Sequence, residues 1–205
     1  MFLAFENIRL YFVWTHCKVL RSAFLFFTLL ISNISIAAVS ERLVYTSYIA
    51  KANTSRPLLI ILNEATPHHE NDLVFHAHTN WEVKLKNIKF VKTEGKCRVR
   101  NVKTELNATI DLPNLVGANP LQSEQFEKYL TALREHELGH YAIGKEAATE
   151  IDHKIYSLTE KYSCKSLRRA VNKLAFQTID EYRTLELNYD SSTQNGKLQG
   201  AWLDQ

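Results

Sequence analysis

Leu133-Arg134-Glu135-His136-Glu137-Leu138-Gly139-His140-Tyr141-Ala142-Ile143-Gly144 is the stretch that decides how this chain is read. Its two histidines are four residues apart, about one turn of an α-helix, so His136 and His140 lie on one face. Each imidazole can then offer a nitrogen to a single Zn²⁺ at about 2.0–2.1 Å. Glu137 falls beside them. There its carboxylate can take a proton from water at the ion without ligating it, which is the general-base position of the His-Glu-x-x-His pattern. Phe126, Tyr129, Leu130, Leu133, Ile143, Ala147, Ile151, Ile155 and Leu158 recur at threes and fours, placing the pattern on an amphipathic helix. Two histidines on such an apolar stripe need partners for their ring nitrogens, and a metal ion supplies one for both.

Working outward, Asn119-Pro120-Leu121-Gln122 is a start signal, with a capping Asn, proline at the first helical position and Gln in the capping-box place. The motif helix is expected from Pro120 to about Lys161. Gly139 and Gly144 weaken it by roughly 1 kcal/mol each relative to Ala, understandable if substrate or a sheet edge comes close there. A final helix is expected with Leu167, Ala170, Val171, Leu174, Ile179, Tyr182 and Leu185 as its inner face, and residues 190–205 as a loop.

Upstream, Glu41 to Ile49 reads as a strand, and Ser55-Arg56-Pro57 as the cap and first turn of a short helix over Leu58 to Glu64. Trp81, Val83 and Leu85 alternate with Glu82, Lys84 and Lys86 in a half-exposed strand, extended by Ile88 and Phe90 up to the turn at Glu94-Gly95-Lys96. A second strand follows from Cys97 and ends at Pro113, making a hairpin. The fold class is α+β: a small antiparallel or mixed sheet, with a long motif helix packed on a C-terminal helix.

The chain has 205 residues, 45% hydrophobic and 23% charged, enough for one well-buried domain. Arg9, Lys18 and Arg21 precede an apolar run from Ala23 that ends in Ser35-Ile36-Ala37-Ala38, so residues 1–37 read as an export signal, with residues 38–205 as the domain. The run is short for a span of about 20 residues and is broken by Ser32, Asn33 and Ser35, so cleavage, after Ala37 or alternatively Ser40, is expected over a retained membrane anchor, with no membrane attachment afterwards. The remaining part carries 22 basic against 21 acidic residues, which indicates no nucleic-acid partner. It also keeps two cysteines, Cys97 and Cys164, expected to pair in the oxidising periplasm or outside the cell.

Several motifs resemble, in order, a family of bacterial secreted zinc-dependent proteases catalogued as a domain of unknown function and grouped with the zincin-type metallopeptidases. They are Thr79-x-Trp81, Gly95-x-Cys97, Ala132-Leu133-Arg134-x-His136-Glu137-x-Gly139-His140, Ser163-Cys164, and Tyr189-Asp190-x-x-Thr193-x-x-Gly196-x-x-Gln199-Gly200. The resemblance implies an exported metal-dependent hydrolase with a zincin-like arrangement. One position departs from it: Asn195 stands where similar sequences often have histidine before the tail glycine.

A catalytic zinc takes three protein ligands, and this helix supplies two. Glu150 lies ten residues past His140, about 15 Å along the axis, and Glu146 points away. Asp190 is taken as the third ligand. Glu181, Asp180 and the pair His76 and His78 are alternatives, because strand alternation would put both rings on one face. His68, His69 and His153 are expected at the surface. Tyr141 and Tyr189 are candidates for a phenol that stabilises an oxyanion. The expected function is that of an exported zinc metallopeptidase, with peptide or protein as substrate and Glu137 as general base. The alternative is an inactive periplasmic binding or envelope-assembly module that keeps the metal.

Overall fold

The computed structural model describes residues 39–71 and 73–203; the expected export signal lies outside them. The alternating residues after Ser40 form β1 (Ser40–Lys51), and the long hairpin forms as read, from β4 (His78–Thr93) and β5 (Lys96–Val116). The connection pairs Thr93 with Lys96 and places Glu94 and Gly95 at φ 52° and 77°. Both central residues of a type I′ hairpin turn need positive φ, and glycine meets that demand without strain. β5 is the centre of a mixed three-stranded sheet of order β1-β5-β4, parallel to β1 and antiparallel to β4.

β5 does not end at Pro113 but continues to Val116. The reason is local: β4 pairing stops at His78↔Asp111, so Pro113 lies where one edge of β5 has no neighbour in the sheet, a place that tolerates a missing N–H. Two shorter strands, β2 (His68–Glu70) and β3 (Leu73–Phe75), make a separate small hairpin.

The first helix, α1 (Leu58–Ala65), is capped by Pro57 itself, in extended conformation, and not by Ser55. Ser55 instead donates its N–H to Asn53 Oδ1, closing a turn that ends before the helix. The motif helix, α2 (Pro120–Tyr156), begins as read: Asn119 Oδ1 accepts from Gln122 N and the Gln122 side chain reaches back to the Asn119 N–H. It stops five residues before Lys161, because Lys161 exchanges two backbone hydrogen bonds with Cys97, which draws the chain out of the helix. The Cys97–Cys164 disulfide is formed at the same place and ties the start of β5 to the start of α3 (Cys164–Thr193).

On α3, Leu167 and Val171 are fully buried and Tyr182 nearly so, but Leu185 is 46% exposed. Past Tyr182 the inward face runs through positions four apart, Glu186 and Asp190, which turns Leu185 away. The helix also runs further than read, so Asp190 sits in its last turn. Ser192 and Thr193 keep it helical by donating their hydroxyls back to the Tyr189 carbonyl, and left-handed Gln194, Asn195 and Gly196 then end it. A 3₁₀ turn follows over Lys197–Gln199.

Two apolar clusters flank the motif. One joins Leu58, Ile61 and Leu62 of α1 to Ile110 and Leu112 of β5 and to Phe126, Tyr129 and Leu133 of α2. The other joins Val102, Ile151, Ile155 and Val171 beneath the hairpin. The His-Glu-x-x-His turn of α2 therefore lies between two packed anchors. No helix among the described residues is long and apolar enough to cross a membrane.

Candidate metal centre

His136 and His140 project from successive turns of α2 towards the last turns of α3, their rings 4.9 Å apart and nearly perpendicular. Asp190 meets both. Its Oδ1 lies 3.2 Å from His136 Nε2 and 2.9 Å from His140 Nε2, and one ligand atom from each of the three residues falls within a 4.8 Å circle. An ion with tetrahedral bonds of about 2.0–2.1 Å spaces its ligand atoms by about 3.3 Å, close to the two spacings that Asp190 already makes. Two imidazoles and one carboxylate are also the donor chemistry of an open, three-ligand zinc site. The His136 side chain is 5% exposed while that of Asp190 is 34% exposed, so the cluster opens on the Asp190 side.

The electrostatics favour positive charge. Burial disfavours a charged His140, but hydrogen bonds with Asp190 and Glu186 outweigh it and lift its pKa to about 10. Burial likewise works to raise Asp190, yet its hydrogen bonds to His136 and His140 hold the carboxyl far below the usual range.

Glu137 is buried, and its Oε2 accepts a 2.6 Å hydrogen bond from Thr79 Oγ1 at the start of β4. The hairpin thus holds the carboxylate beside the two histidines. Trp81, two residues on, donates its indole N–H to Glu186 Oε1 at 2.6 Å and packs flat on Gly144, where a Cβ would come within 2.7 Å of the ring. Gly144 therefore admits the sheet edge. Gly139 admits a helix instead, since a Cβ there would sit 2.1 Å from the Tyr189 hydroxyl.

Other candidates have different partners. The Tyr189 ring stacks on His136 at 5.0 Å and its hydroxyl donates to the His136 carbonyl, so that phenol is committed to the α2 backbone. Tyr141 donates to Glu41 Oε2 on β1. Glu181 pairs with Lys154 and Asp180 with Arg183, both away from the histidines. His76 and His78 do not share a face, because residues 76 and 77 form the bend between β3 and β4 and strand alternation does not apply. His68, read as a surface residue, is partly buried and bonds Asp111 Oδ2 at 2.8 Å.

His76 lies in the core, where Nδ1 accepts from the Tyr129 hydroxyl at 2.6 Å and Nε2–H donates to Asn63 Oδ1 at 2.7 Å. Burial pushes its pKa down to about 4. The folded ring stays neutral where the unfolded ring, near pH 6.5, takes up a proton. Its contribution is therefore complete above about pH 6.5 and is lost as the pH falls towards 4, by about 3 kcal/mol in all. Urea titrations at pH 7 and pH 4 are expected to show this loss in the wild type and a smaller one in His76→Gln; equal losses contradict it.

Two further residues touch the site and were not singled out as candidates from the sequence. Glu186 Oε1 lies 3.4 Å from His140 Nδ1, and Gln199 Oε1 accepts from His136 Nδ1 at 2.9 Å. The spacing of Glu186 and Asp190, four apart like the histidines, was a usable signal; the path of the tail that delivers Gln199 was not. Gly196 lets that tail approach, its position for a Cβ being 3.0 Å from His136 Cγ, and Asn195 donates its N–H to the Asp190 carbonyl. A groove of about 980 Å³ runs past the cluster, lined by His68, His78 and Thr79 on one side and by Leu187, Asn195 and Trp202 on the other.

The family described as bacterial protein of unknown function (DUF922) matches residues 45–197, about three quarters of the chain. The chain belongs to that family. The DUF922 match contains Thr79, Cys97, Cys164, His136, Glu137, His140, Glu186, Asp190 and Asn195, and stops two residues short of Gln199. No curated protein and no solved structure matches this DUF922 chain.

Proposed function

We propose that this DUF922 protein is an exported, zinc-dependent hydrolase of peptide bonds with a zincin-like arrangement. One observation carries the reading: His136, His140 and Asp190 converge at the edge of a large groove, with a buried carboxylate, Glu137, one residue along the same helix. His136, His140 and Asp190 are the residues that would hold the ion. Bound Zn²⁺ supplies a Lewis acid that acidifies water and polarises a carbonyl. Glu137 is the proton acceptor, and Thr79 aims its carboxylate. A groove of about 980 Å³ is at the upper end for small-molecule pockets, which leaves room for a stretch of peptide. The Cys97–Cys164 bridge supports an oxidising compartment, the periplasm or the exterior.

The second reading, a binding or envelope-assembly module that keeps the metal without turnover, rests on Asn195 lining the groove. Chelation separates the two. The zinc-loaded protein is expected to cleave an unfolded protein substrate, to lose that activity on chelation and to regain it when Zn²⁺ alone is restored. Binding of the substrate without cleavage in all three states favours the module.

A further inference from the structure

We propose that Gln199 and Glu186 are positioning residues, one for each imidazole, that hold the Nδ1–H of His136 and His140 so that both Nε2 atoms face the metal. The inference rests on the metal-centre reading above. It is best determined at His136. Gln199 Nε2 donates to the Tyr189 hydroxyl at 3.0 Å, and that hydroxyl donates onward to the His136 carbonyl at 3.2 Å. With its amide nitrogen so engaged, Gln199 presents Oε1 to His136 Nδ1 at 2.9 Å. An amide oxygen only accepts, so Nδ1 carries a proton and Nε2, on the side of Asp190, is the nitrogen left for a metal. The tail reaches this place because Gln194, Asn195 and Gly196 are all left-handed and Gly196 has no Cβ to strike the ring.

Glu186 does the same for His140 from the opposite side. Its Oε1 is fixed by the Trp81 indole at 2.6 Å and lies 3.4 Å from His140 Nδ1. A carboxylate too has no proton to give, so the Nδ1 that faces it carries a proton, and Nε2, 2.9 Å from Asp190 Oδ1, is the nitrogen left for a metal. Outer partners of this kind fix the ring orientation and raise the basicity of a ligating histidine, and losing one typically costs 10–100-fold in metal affinity. Neither residue touches the reacting atoms; both act through the histidines.

The test is the affinity of the chain for Zn²⁺ alone, read by competition with a chromophoric chelator, beside the thermal midpoint of the metal-free protein. Gln199→Met and Glu186→Met keep length and packing but offer only a thioether sulfur, a weak acceptor, and each is expected to weaken zinc about 10–100-fold. Gln199→Glu and Glu186→Gln keep an acceptor and are expected to recover most of that loss; the metal-free midpoints of the Gln199 variants and of Glu186→Gln stay near the wild type, while Glu186→Met, which also takes the acceptor from the Trp81 indole, is expected to lower its own. Methionine variants that bind zinc as tightly as the wild type, or acceptor-keeping variants as weak as the methionine ones, overturn the inference and leave the metal centre standing. A wild type that binds no zinc overturns both together.

Discussion

Glu137→Gln is expected to lower peptide hydrolysis by at least the roughly 10²-fold that a positioned acid–base group contributes. Zinc content and thermal midpoint are expected to stay close to the wild type. Glutamine keeps the shape of the side chain and can still accept from the Thr79 hydroxyl through its amide oxygen, so the 2.6 Å contact that fixes the group survives. What it cannot do is take a proton. A carboxylate that merely filled space between α2 and β4 would leave turnover unchanged after this substitution. Equal cleavage by both proteins over a panel of unfolded substrates therefore removes Glu137 from the chemistry and points to a contaminant as the source of the activity.

The ligands should show a different pattern. His136→Ala, His140→Ala and Asp190→Ala are each expected to weaken zinc by more than the roughly 100-fold upper range for an outer partner, because each removes one of the three protein donors an open zinc site needs. Asp190→Asn is the more telling variant. It preserves the helix end and the hydrogen-bonding shape but removes the charge that, with Glu186, holds positive charge at His140. Zinc titration of these variants at one pH, with circular dichroism to check folding, orders the donors. Asp190→Ala binding as tightly as the wild type excludes Asp190 from the ligand set and reopens the search for a third donor.

Much of the frame was legible because it is written in local chemistry. Asn119, Pro120 and Gln122 announce the start of α2, Glu94-Gly95 the hairpin turn, and an even pair of cysteines the bridge. What stayed hidden depends on contacts between distant segments. The end of α2 is set by the backbone of Cys97, sixty-four residues before Lys161 in the chain, and not by any breaker of its own. His76 looked like half of a strand pair, but a two-residue bend sends it into the core to meet Tyr129. Leu185 looked like core, yet the inward face of α3 passes to Glu186 and Asp190 at the position where α2 presents histidines. Apolar periodicity cannot find a helix face that is polar because it meets another polar face. Gln199 reaches His136 only because three successive residues turn left-handed, a path without a strong sequence signal in Gln194 and Asn195.

The most direct measurement is the metal content of the protein purified without chelator and analysed by elemental mass spectrometry. Convergence of His136, His140 and Asp190 predicts about one zinc per chain, unchanged in Glu137→Gln and absent in His136→Ala. A wild-type protein that carries no zinc, and takes up none when Zn²⁺ is added back, contradicts it.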